Sequence, residues 1–205
     1  MIKSRLHASA FAAAAMLVIA VGCKKADTNA ADTTAATAMP APAAAPESAT
    51  TSSATPTLTD ANIAAILDQA NASDSARGAL ASTKGTSTDV KNFGKLMMGE
   101  HHALRKAGEN LVKKLGLSPQ LPAGDNSEAQ AKAEMDSLTA MPKGAAWDKA
   151  YIDFEVTYHQ AVLETATKAL GVAQNQQLKD LIKSAAPTLQ HHLDRAKAIQ
   201  KKQGM

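Results

Sequence analysis

The chain has 205 residues, 45% of them hydrophobic but only 3% aromatic, a composition that suits one Ala-rich helical domain better than an aromatic-dependent β-sandwich or barrel. Basic and acidic residues number 22 and 19, a balance that gives no electrostatic footprint for nucleic acid. A single cysteine excludes an internal disulfide, a Cys-rich zinc site, an iron–sulfur cluster and a CxxCH haem attachment.

Lys3, Arg5 and His7 precede an apolar run from Ala8 to Gly22, which ends at Cys23 and is followed by Lys24 and Lys25. This is the charged and apolar layout of a secretory signal over residues 1–22, and the run is shorter than the roughly 20 apolar residues a spanning helix needs. Ala20-Val21-Gly22-Cys23 resembles a bacterial lipobox, with Ala20 in place of the usual Leu. The resemblance implies cleavage before Cys23 and its modification with acyl chains, palmitate among them, so that the membrane is a partner through lipidated Cys23. More than one chain makes such anchoring stable. Lys24 after the cysteine points, by the same resemblance, to the outer membrane of a Gram-negative cell envelope, facing the periplasm.

Residues 23–58 hold Cys23 and then mostly Ala, Thr, Pro and Ser. Such a segment buries too little surface to offset its ordering entropy and is expected to be a disordered tether, spanning roughly 30–35 Å as a flexible coil. Residues 59–205 are long enough for a single core. Thr59 or Asp60 caps a first predicted helix carrying Ile63, Ile66, Leu67, Ala70 and Leu80 and ending near Gly85. Ser87 or Thr88 caps a second, which runs to about Gly116. Leu117 to Asn126 is a loop, Ser127 to Met141 a short helix, Ala145 to about Val172 a long one, and Gln174 or Asn175 starts the last, which runs to Gln203. The fold class expected is all-α: an antiparallel four-helix bundle with one extra short helix.

Three of the six histidines fall on apolar stripes. His101 lies on Val90, Gly94, Met97, Leu104, Gly108 and Leu111; His159 on Ile152, Val156, Leu163, Ala166 and Leu170; His192 on Leu178, Leu181, Ala185, Leu189, Ala196 and Ile199. His102 and His191 keep polar company and are expected at the surface. Each inward histidine sits near the middle of its helix, and in an antiparallel bundle midpoints share one level, so the three rings are expected to converge, with nitrogens about 5–7 Å apart before any metal tightens them. Asp74 lies within a turn of that level on the first helix, Glu155 is one turn from His159, and Glu100 precedes His101. Two readings of the layer stay open. Neutral imidazoles with a carboxylate suit one zinc, copper, nickel or non-haem iron ion, with Glu100 and Glu155 behind the ligands; alternatively the layer is structural, with carboxylates accepting from the ring N–H groups.

The segments Phe93-Gly94-Lys95-Leu96-Met97-Met98-Gly99-Glu100-His101, Tyr158-His159 and Pro187-Thr188-Leu189-Gln190-His191-His192-Leu193 resemble the ferritin-like family called domain of unknown function 4142, over residues 59–203. The resemblance implies a ferritin-like bundle with one histidine on each of three helices, matching His101, His159 and His192, with Asp74 where many relatives carry Glu and Tyr158 where an acid often stands. It supplies no activity, and fold alone does not. No Glu is followed three residues later by His, so a standard di-iron centre is not expected. The function expected is a non-enzymatic, lipid-anchored envelope protein that holds one transition-metal ion or senses its surroundings through the histidine layer. The alternative is a mononuclear metal oxidoreductase using the same histidines. A haem site through His101 or His159 with Met97 or Met98 would lack aromatic walls, and the chain has no GxSxG, P-loop or Rossmann fingerprint.

Overall fold

The computed structural model describes residues 58–204. The expected signal peptide, Cys23 and all but the last residue of the expected tether lie outside the described residues. Leu58, that last residue, packs on the core. Among the described residues there are five α-helices and no strand: α1 (Asp60–Lys84), α2 (Thr88–Leu115), α3 (Ser127–Ala140), α4 (Ala145–Val172) and α5 (Gln176–Lys202). No helix among them is long and apolar enough to cross a membrane.

The helices start and stop where the chain supplies the missing backbone partners. Thr59 and Asn62 form a capping box, each side chain accepting from the other's backbone N–H. Ser87 Oγ accepts from Val90 N–H, and Asn175 Oδ1 from Gln177 N–H. Gly116, at φ 63°, ends α2 in the left-handed region that favours glycine. The last helix runs through Pro187, which has no N–H to offer the Lys183 carbonyl one turn earlier.

Hydrogen bonds between distant segments fix the topology. With the α1–α2 turn placed uppermost, α1 runs up and α2 down, and Asn62 Nδ2 at the foot of α1 donates to the Gln120 carbonyl just beyond α2 at 2.7 Å. The Asp148 carboxylate at the start of α4 accepts from Thr86 N–H at 2.8 Å and Ser87 N–H at 2.7 Å, so α4 begins at the top. Asp60 at the start of α1 accepts from Gln174 N–H at 2.8 Å and Asn175 N–H at 2.9 Å, so α4 ends at the bottom. Finally α5 climbs back to place Lys202 against Asp89. Two antiparallel hairpins are therefore joined by one long crossover that contains α3, the connection found in ferritin-like bundles. Each hairpin turn is held by a carboxylate from the first turn of the other hairpin.

The two halves of the interior differ. Above the middle, Phe93, Met97, Trp147, Tyr151 and Ile152 are fully buried, with Trp147 and Tyr151 stacked and the Trp147 indole N–H donating to the Leu138 carbonyl of α3. Below it, Ile63, Ala166, Ala169, Leu178 and Ile182 form an aliphatic cluster. The stripe residues Leu104, Leu111 and Leu181, expected in the core, are only half-buried, because this lower half does not close: it surrounds a cavity of about 570 Å³ that they line.

At the α1–α2 crossing Gly78 and Gly94 face each other. A Cβ on Gly78 would lie 2.6 Å from Met98 N and 2.7 Å from Gly94 O, both backbone atoms that cannot yield. Gly78→Ala is therefore expected to destabilise the domain by about 1–3 kcal/mol. Gly99→Ala, in the same helix as Gly94 with nothing within 4 Å of its added methyl, should gain about 0.5–1 kcal/mol from helix propensity. Urea unfolding of the two variants checks the opposite signs.

Candidate metal centre

The inward stripe of α1 steps through Ile63, Leu67, Ala70, Asp74, Arg77 and Ala81, so two charged residues are carried into the core between apolar ones. Asp74, Glu155, His159 and His192 have no exposed surface, Arg77 has 1% and His101 2%. The three rings converge as the helix midpoints require, with centroids 5.5 Å apart for His101–His159, 4.9 Å for His101–His192 and 5.3 Å for His159–His192. One nitrogen from each ring lies within 4.8 Å of the others, closer than the spacing expected from helix level alone. His191 and His102 are exposed, as expected.

Hydrogen bonds on the outer side of two rings set their tautomers. Asn71 Nδ2 donates to the Leu67 carbonyl, which turns Asn71 Oδ1 towards His101 Nδ1 at 2.9 Å. His101 must then donate from Nδ1 and keep its lone pair at Nε2. His159 Nδ1 donates to the Glu155 backbone carbonyl at 2.9 Å, leaving a lone pair at its own Nε2. The two Nε2 atoms stand 3.4 Å apart, and Asp74 Oδ2 lies 3.0 Å from the first and 3.5 Å from the second. Three electron pairs thus meet with no donor between them. His192 donates from Nε2 to Glu100 Oε2 at 2.6 Å, and its Nδ1 is buried without a partner.

Arg77 supplies the fixed positive charge. Its guanidinium reaches Asp74 Oδ1 at 3.2 Å, Glu155 Oε1 at 3.5 Å and Glu134 of α3 at 3.7 Å, and lies over the rings of Phe154 and Tyr158 at 4.6 and 4.2 Å. Asp74, Glu155 and His159 also form a carboxylate–imidazole group of metal-binding size. The guanidinium already sits against both of its carboxylates, so that position holds a covalently attached cation. Buried polar atoms without a hydrogen-bond partner concentrate in the cluster: Asp74 Oδ2, Arg77 Nε, both Glu155 carboxylate oxygens and His192 Nδ1.

Burial pushes His101 down to about 4, outweighing Asp74, and the other two rings act in the same direction. It therefore presents a neutral ring at neutral pH. For Asp74 burial works upwards, but His101, His159 and Arg77 together hold the carboxyl below its usual value. Glu155 is raised to about 7, first by burial and then by the charge of Asp74. Burial lowers His159, yet Glu155 and Asp74 carry it above its usual value; in His192 burial prevails over Glu100 and the shift is downwards.

The three histidines, Asp74, Glu100 and Glu155 therefore meet, and Glu100, next to His101 in the chain, faces His192 on α5. Arg77, Asn71 and Glu134 were not singled out. Arg77 and Asp74 are three residues apart on one helix face, and that spacing was the available signal for the pair.

A family model described as Domain of unknown function (DUF4142) matches residues 44–199. The chain belongs to this family. The match begins inside the Ala/Thr/Pro-rich segment, ahead of Thr59, and covers every residue of the cluster. Comparison with curated proteins and with solved structures gives no match. The buried guanidinium of this DUF4142 chain yields a stability prediction. Arg77→Met removes the buried guanidinium beside Asp74 and Glu155 and should cost about 3–5 kcal/mol in urea unfolding. Adding Glu155→Gln to that variant should recover part of the loss, since it removes one of the two stranded charges.

Proposed function

We propose that the bundle is a binding module for a single divalent transition-metal ion, held by Asp74, His101, His159 and His192. The observation that carries this reading is the meeting of three electron pairs at separations of 3.0, 3.4 and 3.5 Å. Metal–ligand bonds of about 2.0–2.1 Å in a tetrahedron give ligand-to-ligand edges of about 3.3–3.4 Å, so the Asp74–His101–His159 face already has the right size. His192, with a nitrogen within 4.8 Å of those of His101 and His159, would supply the fourth ligand. Outer hydrogen bonds orient each ring: Asn71 holds His101, the Glu155 carbonyl holds His159, and Glu100 holds His192. Arg77 faces two buried carboxyls, Asp74 held below its usual value and Glu155 raised to about 7, and a cation would favour the ionised form of both. Imidazole with carboxylate suits zinc, copper, nickel or non-haem iron, and the tetrahedral edge favours zinc. The bound ion would supply a Lewis-acidic centre and tie α1, α2, α4 and α5 together.

The same proposal places the module at the Gram-negative cell envelope, lipid-anchored through Cys23 to the outer membrane and facing the periplasm. The support is the leader and lipobox-like tetrapeptide of the sequence. A second reading, a mononuclear metal oxidoreductase on the same histidines, is favoured by one feature: Asp74 and His101 line the lower cavity, which gives the ion one approachable side.

Thermal unfolding with and without Zn²⁺, Cu²⁺ or Ni²⁺ tests the metal. At a hundred times its dissociation constant the ion should stabilise the chain by about 2.7 kcal/mol, and the gain should vanish in His159→Ala. A gain of equal size in both proteins would place the ion elsewhere. Iron- or copper-loaded protein that cycles repeatedly with a reductant and dioxygen would favour the oxidoreductase. Cys23→Ser should abolish acylation and release the protein from the membrane fraction; partition into detergent that persists in this variant once the leader has been removed would count against the anchor.

A further inference from the structure

The lower cavity touches the ligand set only at Asp74 and His101, and the rest of its lining has its own chemistry. Its wall is aliphatic, with Leu67, Leu104, Val162, Leu181 and Leu189 among its residues, and Tyr158 is its one aromatic. No cluster of basic residues is there for a phosphate, and apart from Gln69, Gln120 and the Tyr158 hydroxyl the polar side chains fall into two groups. Asn71, Asp74 and His101 close the inner end: Asn71 Oδ1 accepts from His101 Nδ1, Asp74 Oδ1 pairs with Arg77, and Asp74 Oδ2 and His101 Nε2 are the atoms proposed to hold the ion. The rim carries Asp68, Glu109 and Glu128 against Arg105 alone. Arg105 is already paired, at 2.8 Å with Asp68 and 3.5 Å with Glu109. These rim side chains are 40–45% exposed where measured, so a charged group beside them keeps its water.

The sequence register argues that the cavity is a built feature. Asp60 and Asp148 play matching parts in the two hairpins, as do the caps Ser87 and Asn175, and the same separation along the chain divides both pairs. Moved by that separation, Asp74, His101, His159 and His192 fall on Val162, Leu189, Asn71 and Leu104. All four of these line the cavity. Where one hairpin places a ligand, the other places an apolar or amide group facing this space.

We infer that the cavity binds one aliphatic amphiphile, with its alkyl chain directed towards Asn71 and its head group, cationic or uncharged, held at the acidic rim. About 570 Å³ is within the range of small-molecule sites. The half-buried leucines supply the apolar surface for the chain, and the three rim carboxylates select against a carboxylate head.

The test uses the full chain carrying Cys23→Ser, so that no detergent competes, with a chelator present so that the outcome is independent of the metal. Dodecylamine, dodecanol and laurate are titrated below their micellar concentrations by calorimetry. Dodecylamine should bind saturably at one per chain, with dodecanol weaker and laurate weakest. Ala185→Phe and Val162→Phe fill the cavity from two different helices, and each should weaken dodecylamine by about tenfold or more; circular dichroism identifies which of them keeps its fold. Asp68→Asn with Glu109→Gln should weaken dodecylamine more than dodecanol and narrow the preference for amine over laurate. Absence of saturable dodecylamine binding overturns the proposal. So does binding that survives in a folded cavity-filled variant, which would put the amphiphile elsewhere, the apolar leader included. Laurate binding as tightly as dodecylamine overturns the head-group assignment.

Discussion

A guanidinium held almost out of water between two buried carboxylates is the constraint around which this bundle is organised. Isolated ions do not survive in an apolar interior, and removing one partner of such a set leaves charge with nowhere to go. Arg77 therefore fixes the side chains of Asp74 and Glu155, and through them the height at which His159 and His101 meet. Phe154 and Tyr158 cover its face, and Glu134 brings the crossover helix against its edge. The carboxylate–imidazole group around Glu155 has the guanidinium as its cation, whereas no donor stands between Asp74 Oδ2 and the Nε2 atoms of His101 and His159.

Much of this arrangement was legible in the sequence, for reasons that lie in helix geometry. Helix ends were set by local signals, side chains that cap nearby backbone N–H groups at Thr59 and Ser87 and a left-handed backbone at Gly116, and such signals depend little on tertiary context. The convergence of His101, His159 and His192 followed from periodicity and the antiparallel rule, because a residue's height in a bundle is a linear function of its position in the helix. Asp74 was found in the same way. Lateral relationships were harder. Glu100 adjoins His101 in the chain but its carboxylate points across to His192, and nothing in a single helix reveals which neighbouring helix a boundary residue will face. Arg77 lies three residues after Asp74, which puts it on the inward stripe, but an arginine at such a position more often reaches out to solvent.

The lower cavity shows a different limit. Leu104, Leu111 and Leu181 have the spacing of core residues, and periodicity reports which face is inward without reporting whether opposing faces touch. Bulk decides that. The large aromatic side chains Phe93, Trp147 and Tyr151 all lie above the histidine layer, while Ala and Leu below it are too small to span the same distance between helices. The low aromatic content was read as evidence of helical class; its uneven placement along the bundle is what opens the interior.

Pro187 carries a consequence for how these two halves communicate. The proline lies between Ala185, on the cavity wall, and Leu189 and His192 above it, and it takes one rung out of the backbone ladder of α5. The helix is continuous in path, yet its hydrogen bonding is divided at that level into a lower run around Leu178 and Ile182 and an upper run that carries His192. Helical order propagates rung by rung, so a missing rung is where cooperativity is weakest. Fraying that begins at Asn175 therefore meets a weakened level of the helix before it reaches the imidazole. The residue that interrupts the helix thereby insulates the ring above it from the looser end of the bundle.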